Sequence, residues 1–504
     1  MKLRPRHLDL RRLIPRRRGD GGGKIQVKGM ALYWGILRGF AMLLLLLCAA
    51  VVPAASSANG EEQQLRPGVI LSKVVAAQNA EQSYALYLPS NYSAAKRWPV
   101  VYAFEPGARG HVPVELMKEA AEKYGYIIAG SNNSRNGSWK IEAEAARAMY
   151  DDTHARLSID DKRLYFAGFS GGSRVAATVA QRCKCAAGVI VAGAGFQPDA
   201  QSNRDSFAVF ASVGTYDFNY GEVIALDEAL QKMNAQHFLR RFEGPHQWPS
   251  AAVLGEALTW MQLQAMKSNR EPRDEAFISA QLALETQRAK AFESTDPFAA
   301  WFEYRQAAET FDGLADVTAL RAEEKSLQGQ KAVTESAKRE KQEIKEQGEI
   351  TADIFSAMAT LNTPDPSDTA PAAATRNALR EQILTLKNRA DHEKRPEKAR
   401  ALKRALEGVF VNLMEEGLGR MDAKDARHAL SDFEVALAAY PDSSWAWSMT
   451  AEARAADGDK KGALESLRHV KEKWSDKQAF TDWLNSDAAF AKIRDTAEFR
   501  ALLQ

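Results

Sequence analysis

The sequence predicts an α/β domain with a mostly parallel, doubly covered sheet, followed by an all-α region. Three observations carry this expectation. Between residues 65 and 268, short apolar and β-branched runs alternate with stretches of helical periodicity. From residue 269 the strand signals stop, and charged, alanine-rich helical sequence runs to the end. At 504 residues the chain is also longer than one ordinary core supports.

The elements follow in order. Residues 59–66 are a polar linker, and strands are expected at 68–75 and 84–88, before the turn-rich stretch from Pro89. Residues 99–104 form a buried strand ended by Glu105-Pro106-Gly107-Ala108-Arg109-Gly110. A helix at 114–124, a strand at 126–129, a loop at 131–139 and a helix at 141–157 come next. The strand at 163–167 leads into Gly168-Phe169-Ser170-Gly171-Gly172 and a helix at 174–182. Strands at 186–191, 207–213 and 237–242 then alternate with helices at 222–233 and 251–266. The connection at 194–206 is too short for a helical cap, so the pocket is expected to be open or roofed by the C-terminal helices.

The net charge of +2 conceals an asymmetry. Eleven Lys/Arg against Asp9 and Asp20 give the first 38 residues +9, which leaves −7 on the rest. A mildly acidic body offers no electrostatic case for nucleic-acid binding. The basic stretch precedes a continuous apolar run at 40–52, and small residues follow it. This is the layout of a secretory signal peptide, with cleavage expected within 54–58. The run is short for a bilayer span. An uncleaved anchor, or a lipid on Cys48, is the alternative, although Leu47 suits a lipoprotein signal poorly. Met30 is an alternative start that gives a conventional leader. The chain is thus expected to be exported, with membrane contact only through a retained leader. Cys183 and Cys185 are expected as free thiols, because a bridge across one residue is strained.

Five segments result: 1–58 as basic extension and signal peptide, 65–268 as the α/β domain, 269–362 as a charged helical segment, 363–374 as a Pro-rich linker, and 375–504 as a helical domain. Residues 322–347 read as a solvated helix face or a coiled-coil arm. In the last segment Ala429, Phe433 and Ala436 recur 34 residues on as Ala463, Leu467 and Val470, while Pro441 is unmatched by Ser475. Trp447 and Gly458 fall where a second unit needs an aromatic and a turn glycine. This spacing resembles the tetratricopeptide repeat, in which helix pairs stack, and it implies a protein partner for the repeats.

The chemistry is expected at three strand ends. Ser170 lies on a tight strand-to-helix turn, where a serine hydroxyl is pushed out at the carboxyl end of a sheet. Asp217 follows the strand at 207–213, and His246 follows the strand at 237–242. An acyl-transfer serine needs a base and a group to orient that base. Three such residues at successive strand ends share one edge of a parallel sheet, where ligand sites form. Asp199 and Asp205 precede their strand. His237 begins a strand, His154 lies within a helix, and His111 follows the first crossover loop as a candidate pocket-lining residue.

The Gly168-to-Gly172 turn, Asp217, His246 and the opening Tyr84-Ala85-Leu86-Tyr87-Leu88-Pro89 together resemble an α/β-hydrolase. The similarity is to the branch of small esterases, depolymerase-type esterases and dienelactone-hydrolase-like proteins. The resemblance implies Ser170 as nucleophile, His246 as general base and then acid, and Asp217 as the residue orienting His246. It implies the Gly171 amide as one oxyanion donor. The second donor departs from the family pattern: Pro106 has no amide proton, so Glu105 or Gly107 must supply it. A carboxylate at Glu105 opposes an oxyanion unless Arg109 pairs it. The loop at 131–139 resembles a substrate-lining loop, with Asn132, Asn133 and Trp139 as binding candidates.

The expected function is an exported serine hydrolase, a carboxylesterase acting on a small ester or polar acyl substrate, with no metal and no organic cofactor. The rivals are a non-catalytic envelope scaffold that binds partners through its repeats, and a serine peptidase on the same residues.

Overall fold

The computed structural model describes residues 64–198, 207–361, 370–474 and 476–503. The apolar run at 40–52 with its cleavage region, Cys48, Asp199, Asp205, most of the 194–206 connection, residues 363–369 of the expected linker and Ser475 lie outside the described residues. Among the described residues no helix is long and apolar enough to cross a membrane.

Eight strands form one sheet: β1 (Ile70–Ala76), β2 (Asn79–Tyr87), β3 (Trp98–Phe104), β4 (Ile127–Ser131), β5 (Ile159–Phe169), β6 (Ala186–Ala192), β7 (Ala208–Gly214) and β8 (His237–Phe242). Their order is β1-β2-β4-β3-β5-β6-β7-β8. β1 pairs antiparallel with β2 and β2 antiparallel with β4, while β3 to β8 run parallel. This is the topology of the α/β-hydrolase fold. Every expected strand is present. β5 begins four residues earlier than expected because its first half, around Asp160 to Lys162, is polar and lies outside the core.

The central strands are fully buried because both faces are covered. Alternation sorts their side chains. Val100, Tyr102 and Phe104 join one core, while Val101 and Ala103 join the other. The first core is closed by α2 (Trp139–Arg156), α3 (Gly171–Cys183) and α4 (Tyr220–Lys232) through Met149, Val179 and Val223. The second is closed by α1 (His111–Tyr124) and α5 (Ala251–Lys267) through Val114, Met117, Leu258 and Met261.

The helical half starts with α6 (Glu275–Phe292), α7 (Pro297–Phe311), α8 (Thr318–Gln328) and α9 (Lys331–Leu361). α7 covers the free edge of β8: Gln306 Nε2 donates to the Leu239 carbonyl at 3.2 Å, and Trp260 Nε1 donates to Thr310 Oγ1 at 3.0 Å. Buried Arg305 pairs with Asp227 at 2.8 Å. The segment expected as a solvated face or coiled-coil arm therefore has a packed side. Ile344 of α9 sits against Gly221 of α4, Tyr220 Oη donates to Glu340 Oε1 at 2.5 Å, and buried Glu343 pairs with Arg400, while most of the other charges are exposed.

α10 (Ala370–His392) and α11 (Pro396–Asp422) follow. The expected linker thus ends earlier than its composition suggests, because residues 370–374 already belong to α10. Pro371 falls in its first turn, where the missing amide proton costs no helix bond. α12 (Ala426–Ala439), α13 (Ser444–Asp457) and α14 (Lys460–Lys473) then pack in sequence, and α15 (Lys477–Ser486) joins the terminal cluster through Phe480 and Leu484. Ala429, Phe433, Ala436, Ala463, Leu467 and Val470 are all buried in this array. Phe490 and α16 (Ala497–Leu502) close its end through Phe499 and Leu502.

The expectation of free thiols is overturned: Cys183 and Cys185 are joined in a disulfide. Lys184 takes a left-handed conformation (φ 52°), which brings the two Cα atoms to 5.1 Å.

Candidate active site

The turn between β5 and α3 holds Ser170 at φ 52° and ψ −121°, a strained setting for a residue with a Cβ. Close backbone packing imposes it. A Cβ on Gly168 would stand 2.1 Å from the Gly172 carbonyl oxygen, and one on Gly172 would stand 2.0 Å from the Phe104 carbonyl oxygen. The Ser170 amide donates to the Ala192 carbonyl at 2.8 Å, and Ser173 Oγ lies between the Gly168 and Ala192 carbonyls at 2.7 and 2.8 Å. The turn is thereby fixed between β3 and β6, with the serine at the amino terminus of α3.

The loops after β7 and β8 are hydrogen-bonded to each other. The amides of Thr215 and Tyr216 donate to the carbonyls of Phe242 and Gly244 at 2.8 and 2.9 Å. Asp217 and His246 project from these loops. Asp217 Oδ1 accepts the amide of Asn219 at 2.8 Å and lies 2.9 Å from His246 Nδ1. With Nδ1–H given to the carboxylate, His246 Nε2 is free to accept the Ser170 hydroxyl, 2.9 Å away. Asp217 is fully buried. The imidazole is held between Phe169 and Phe218, with ring centroids at 4.6 and 4.3 Å. The structure brings together the three residues expected at the strand ends, in the expected order of contact.

Glu105 follows β3 directly and is fully buried, with its amide nitrogen beside Gly172. Its carboxylate pairs with Arg109 and also accepts the Gly107 amide at 2.6 Å. The Gly107 amide is therefore committed to Glu105, which corrects its expected place as an oxyanion donor. Gly171 and Glu105 are left as the main-chain candidates. The Arg109 pair supplies the neutralisation a carboxylate here requires.

The loop at 131–139 divides. Asn132 Nδ2 donates to the Ser72 carbonyl at 3.0 Å; Asn133 Oδ1 accepts the Ser83 amide at 2.8 Å, and its Nδ2 donates to the Glu81 carbonyl at 2.9 Å. Both side chains fasten the loop to β1 and β2, so their expected role in binding gives way to a structural one. Trp139 packs against the core and lines a cavity of about 690 Å³ between the β1–β2 turn and α2 that none of Ser170, Asp217 or His246 borders. His111 is exposed at the start of α1. Asn136, which sequence reasoning passed over, lies at the turn itself. Its amide donates to the Pro106 carbonyl at 2.9 Å, and its Oδ1 would stand 1.8 Å from a Cβ on Gly171.

The helical half roofs the site. Arg404 of α11 donates through Nε to the Thr215 carbonyl at 2.7 Å and lies over the Tyr220 ring at 3.8 Å. Gly408 packs on Phe218, and Gln347 Nε2 of α9 donates to the Phe218 carbonyl at 2.6 Å. Glu407 Oε1 accepts the His246 amide at 3.1 Å, and Glu415 Oε1 accepts from Asn136 Nδ2 at 2.8 Å. Burial, and then the neighbouring Asp217 charge, push the Glu407 carboxyl up to about 7. No local motif marks Glu407 and Glu415, which lie 161 and 279 positions from His246 and Asn136. Ser170 retains 8% exposure beneath this roof.

No protein-family model matches the chain, and no curated protein matches it. Among solved structures, an S-formylglutathione hydrolase (FrmB) from Staphylococcus aureus is similar at 14% identity, over 39% of this chain and 99% of that one, with a TM-score of 0.32. A ferulic acid esterase is similar at 18% identity, over 39% and 96%, with a TM-score of 0.32. A feruloyl esterase module from Clostridium thermocellum in complex with sinapinate is similar at 16% identity, over 38% and 86%, again at 0.32. The fold assignment rests on strand order and on the β5–α3 turn rather than on these scores.

Proposed function

We propose that the chain is an exported serine hydrolase, a carboxylesterase that works through an acyl-enzyme on Ser170. The observation that carries this reading is the unbroken chain Asp217 Oδ1, His246 Nδ1, His246 Nε2 and Ser170 Oγ, each contact at 2.9 Å, on a strained strand-to-helix turn.

The steps follow from the geometry. Ser170 Oγ attacks the acyl carbon as its proton passes to His246 Nε2. The carbonyl π pair moves onto oxygen, and that oxyanion faces the amino terminus of α3, with the Gly171 and Glu105 amides as its donors. Asp217 keeps the neutral imidazole in the productive tautomer and stabilises the imidazolium that forms. Collapse expels the alcohol, which takes the proton from Nε2. Water then attacks the acyl-serine by the same route, giving the acid and restoring Ser170. The roof and the polar groups of Asn136 and Glu415 favour a small, polar acyl group.

Export is supported by the leader layout and by the Cys183–Cys185 bridge, which persists in oxidising compartments. The stacked helices of 375–504 fit a tetratricopeptide-like surface for a protein partner. The test is reaction of the full chain with a fluorophosphonate probe and a short-chain activated ester. Stoichiometric labelling that maps to Ser170 supports the reading, and an unlabelled wild type overturns it.

A further inference from the structure

Triad geometry accounts for Ser170, His246 and Asp217, but a second carboxylate stands at the back of the histidine. Glu407 lies near the middle of α11, outside the sheet. Its Oε1 accepts the main-chain amide of His246, whose imidazole packs on the Phe218 ring, at 3.1 Å. Its Oε2 is buried and finds no hydrogen-bond partner among the described residues. A buried carboxylate oxygen left bare is costly, and packing alone would be served better by an apolar residue at that position.

The groups that face it are few. Asp217 opposes its charge and His246 favours it. Tyr440, which follows α12, has its hydroxyl pKa raised by burial and then by the charge of Glu407. On its own helix Arg404 is turned towards the Thr215 carbonyl and Tyr220, and Lys403 towards the Tyr216 ring. Among the described residues, the group of opposite charge set against this carboxylate is therefore the imidazole of His246 once it has taken the Ser170 proton.

Resting on the serine-hydrolase reading above, we infer that Glu407 is a positioning residue for His246. It fixes the histidine loop by its main chain and adds a second negative charge behind the imidazolium. The helical half would then complete the active site as well as shield it. A charge that counts only when the imidazolium forms lowers the barrier without tightening ground-state binding.

The test uses the full chain, with Glu407→Gln, Glu407→Ala and Ser170→Ala beside the wild type, read by fluorophosphonate labelling and by steady-state ester hydrolysis from pH 5 to 9. Glu407→Gln keeps the acceptor for the His246 amide and removes only the charge. It is expected to lower kcat about tenfold with KM within about twofold, and to remove the contribution of Glu407 from the acidic limb. Glu407→Ala also frees the histidine loop and is expected to fall about a hundredfold, with glutamine recovering the difference. Wild-type kcat and an unchanged pH profile in Glu407→Gln would overturn the inference. If Glu407→Ala does not fold, the kcat of Glu407→Gln decides: a fall of about tenfold supports the inference, and an unchanged value overturns it. Labelling that is lost in Ser170→Ala but unaltered in the Glu407 variants overturns this inference alone; an unlabelled wild type overturns the hydrolase reading and this inference together.

Discussion

Asn136 Nδ2 donates to Glu415 Oε1 at 2.8 Å, so the loop lying over the nucleophile turn is tied to a helix of the other half of the chain. The contact is exposed, and its loss should cost about 1 kcal/mol or less of stability. Its position beside Gly171 gives it more weight in catalysis. Asn136→Ala is expected to melt like the wild type and to lose about tenfold in kcat/KM. Thermal melts and initial rates on one ester series check both halves of the prediction.

The glycines of the turn separate fold from function. Gly172→Ala drives a Cβ into the Phe104 carbonyl, which cannot withdraw from the sheet, and should destabilise the chain by about 3 kcal/mol or more. Gly171→Ala meets only the end of the Asn136 side chain, which can swing aside. The Gly171→Ala protein should therefore fold and lose activity. Urea titration of both, with ester hydrolysis of Gly171→Ala, distinguishes the two cases.

Much of this was legible in the sequence. The parallel strands announce themselves as short apolar runs, and Ser170, Asp217 and His246 each sit at a strand end, where topology alone brings them to one edge. The α11 contribution was not legible. Arg404, Glu407 and Glu415 are unremarkable charges in a helical stretch, and only tertiary packing sets them against Thr215, His246 and Asn136. Asn132 and Asn133 misled for a related reason. A polar loop next to a site looks the same whether its amides face a ligand or tie down their own backbone. The disulfide was missed because the left-handed turn at Lys184 carries no glycine to signal it.

Asp217→Asn offers a direct check on the charge that supports the imidazolium. His246 and Asn219 both bond Oδ1 of the carboxylate, so an asparagine carbonyl in that place keeps both partners and removes the negative charge. The fold should be kept and kcat should fall by about 10⁴, the scale typical of such triads. Circular dichroism and single-turnover labelling rates measure the two effects.

The raised Glu407 carboxyl has a stability signature of definite sign. Its folded value, about 7, lies above the ordinary carboxylate value of 4.5, so between those values the folded chain binds more protons than the unfolded one. Stability from this group is full below the lower value and is lost as pH rises through the upper one. At pH 8 Glu407→Gln should be more stable than the wild type by about 1–3 kcal/mol, at the low end if the glutamine amide is poorly satisfied. The advantage should vanish near pH 4. Denaturant midpoints at the two pH values show whether it does.

The central claim is that Ser170 is an activated nucleophile. The most direct measurement is intact-mass analysis of the full chain after a fluorophosphonate, run beside Ser170→Ala. The geometry predicts one adduct per chain, located on Ser170 and absent from the variant. A wild-type chain that stays unmodified, or an adduct that persists in Ser170→Ala, would contradict it.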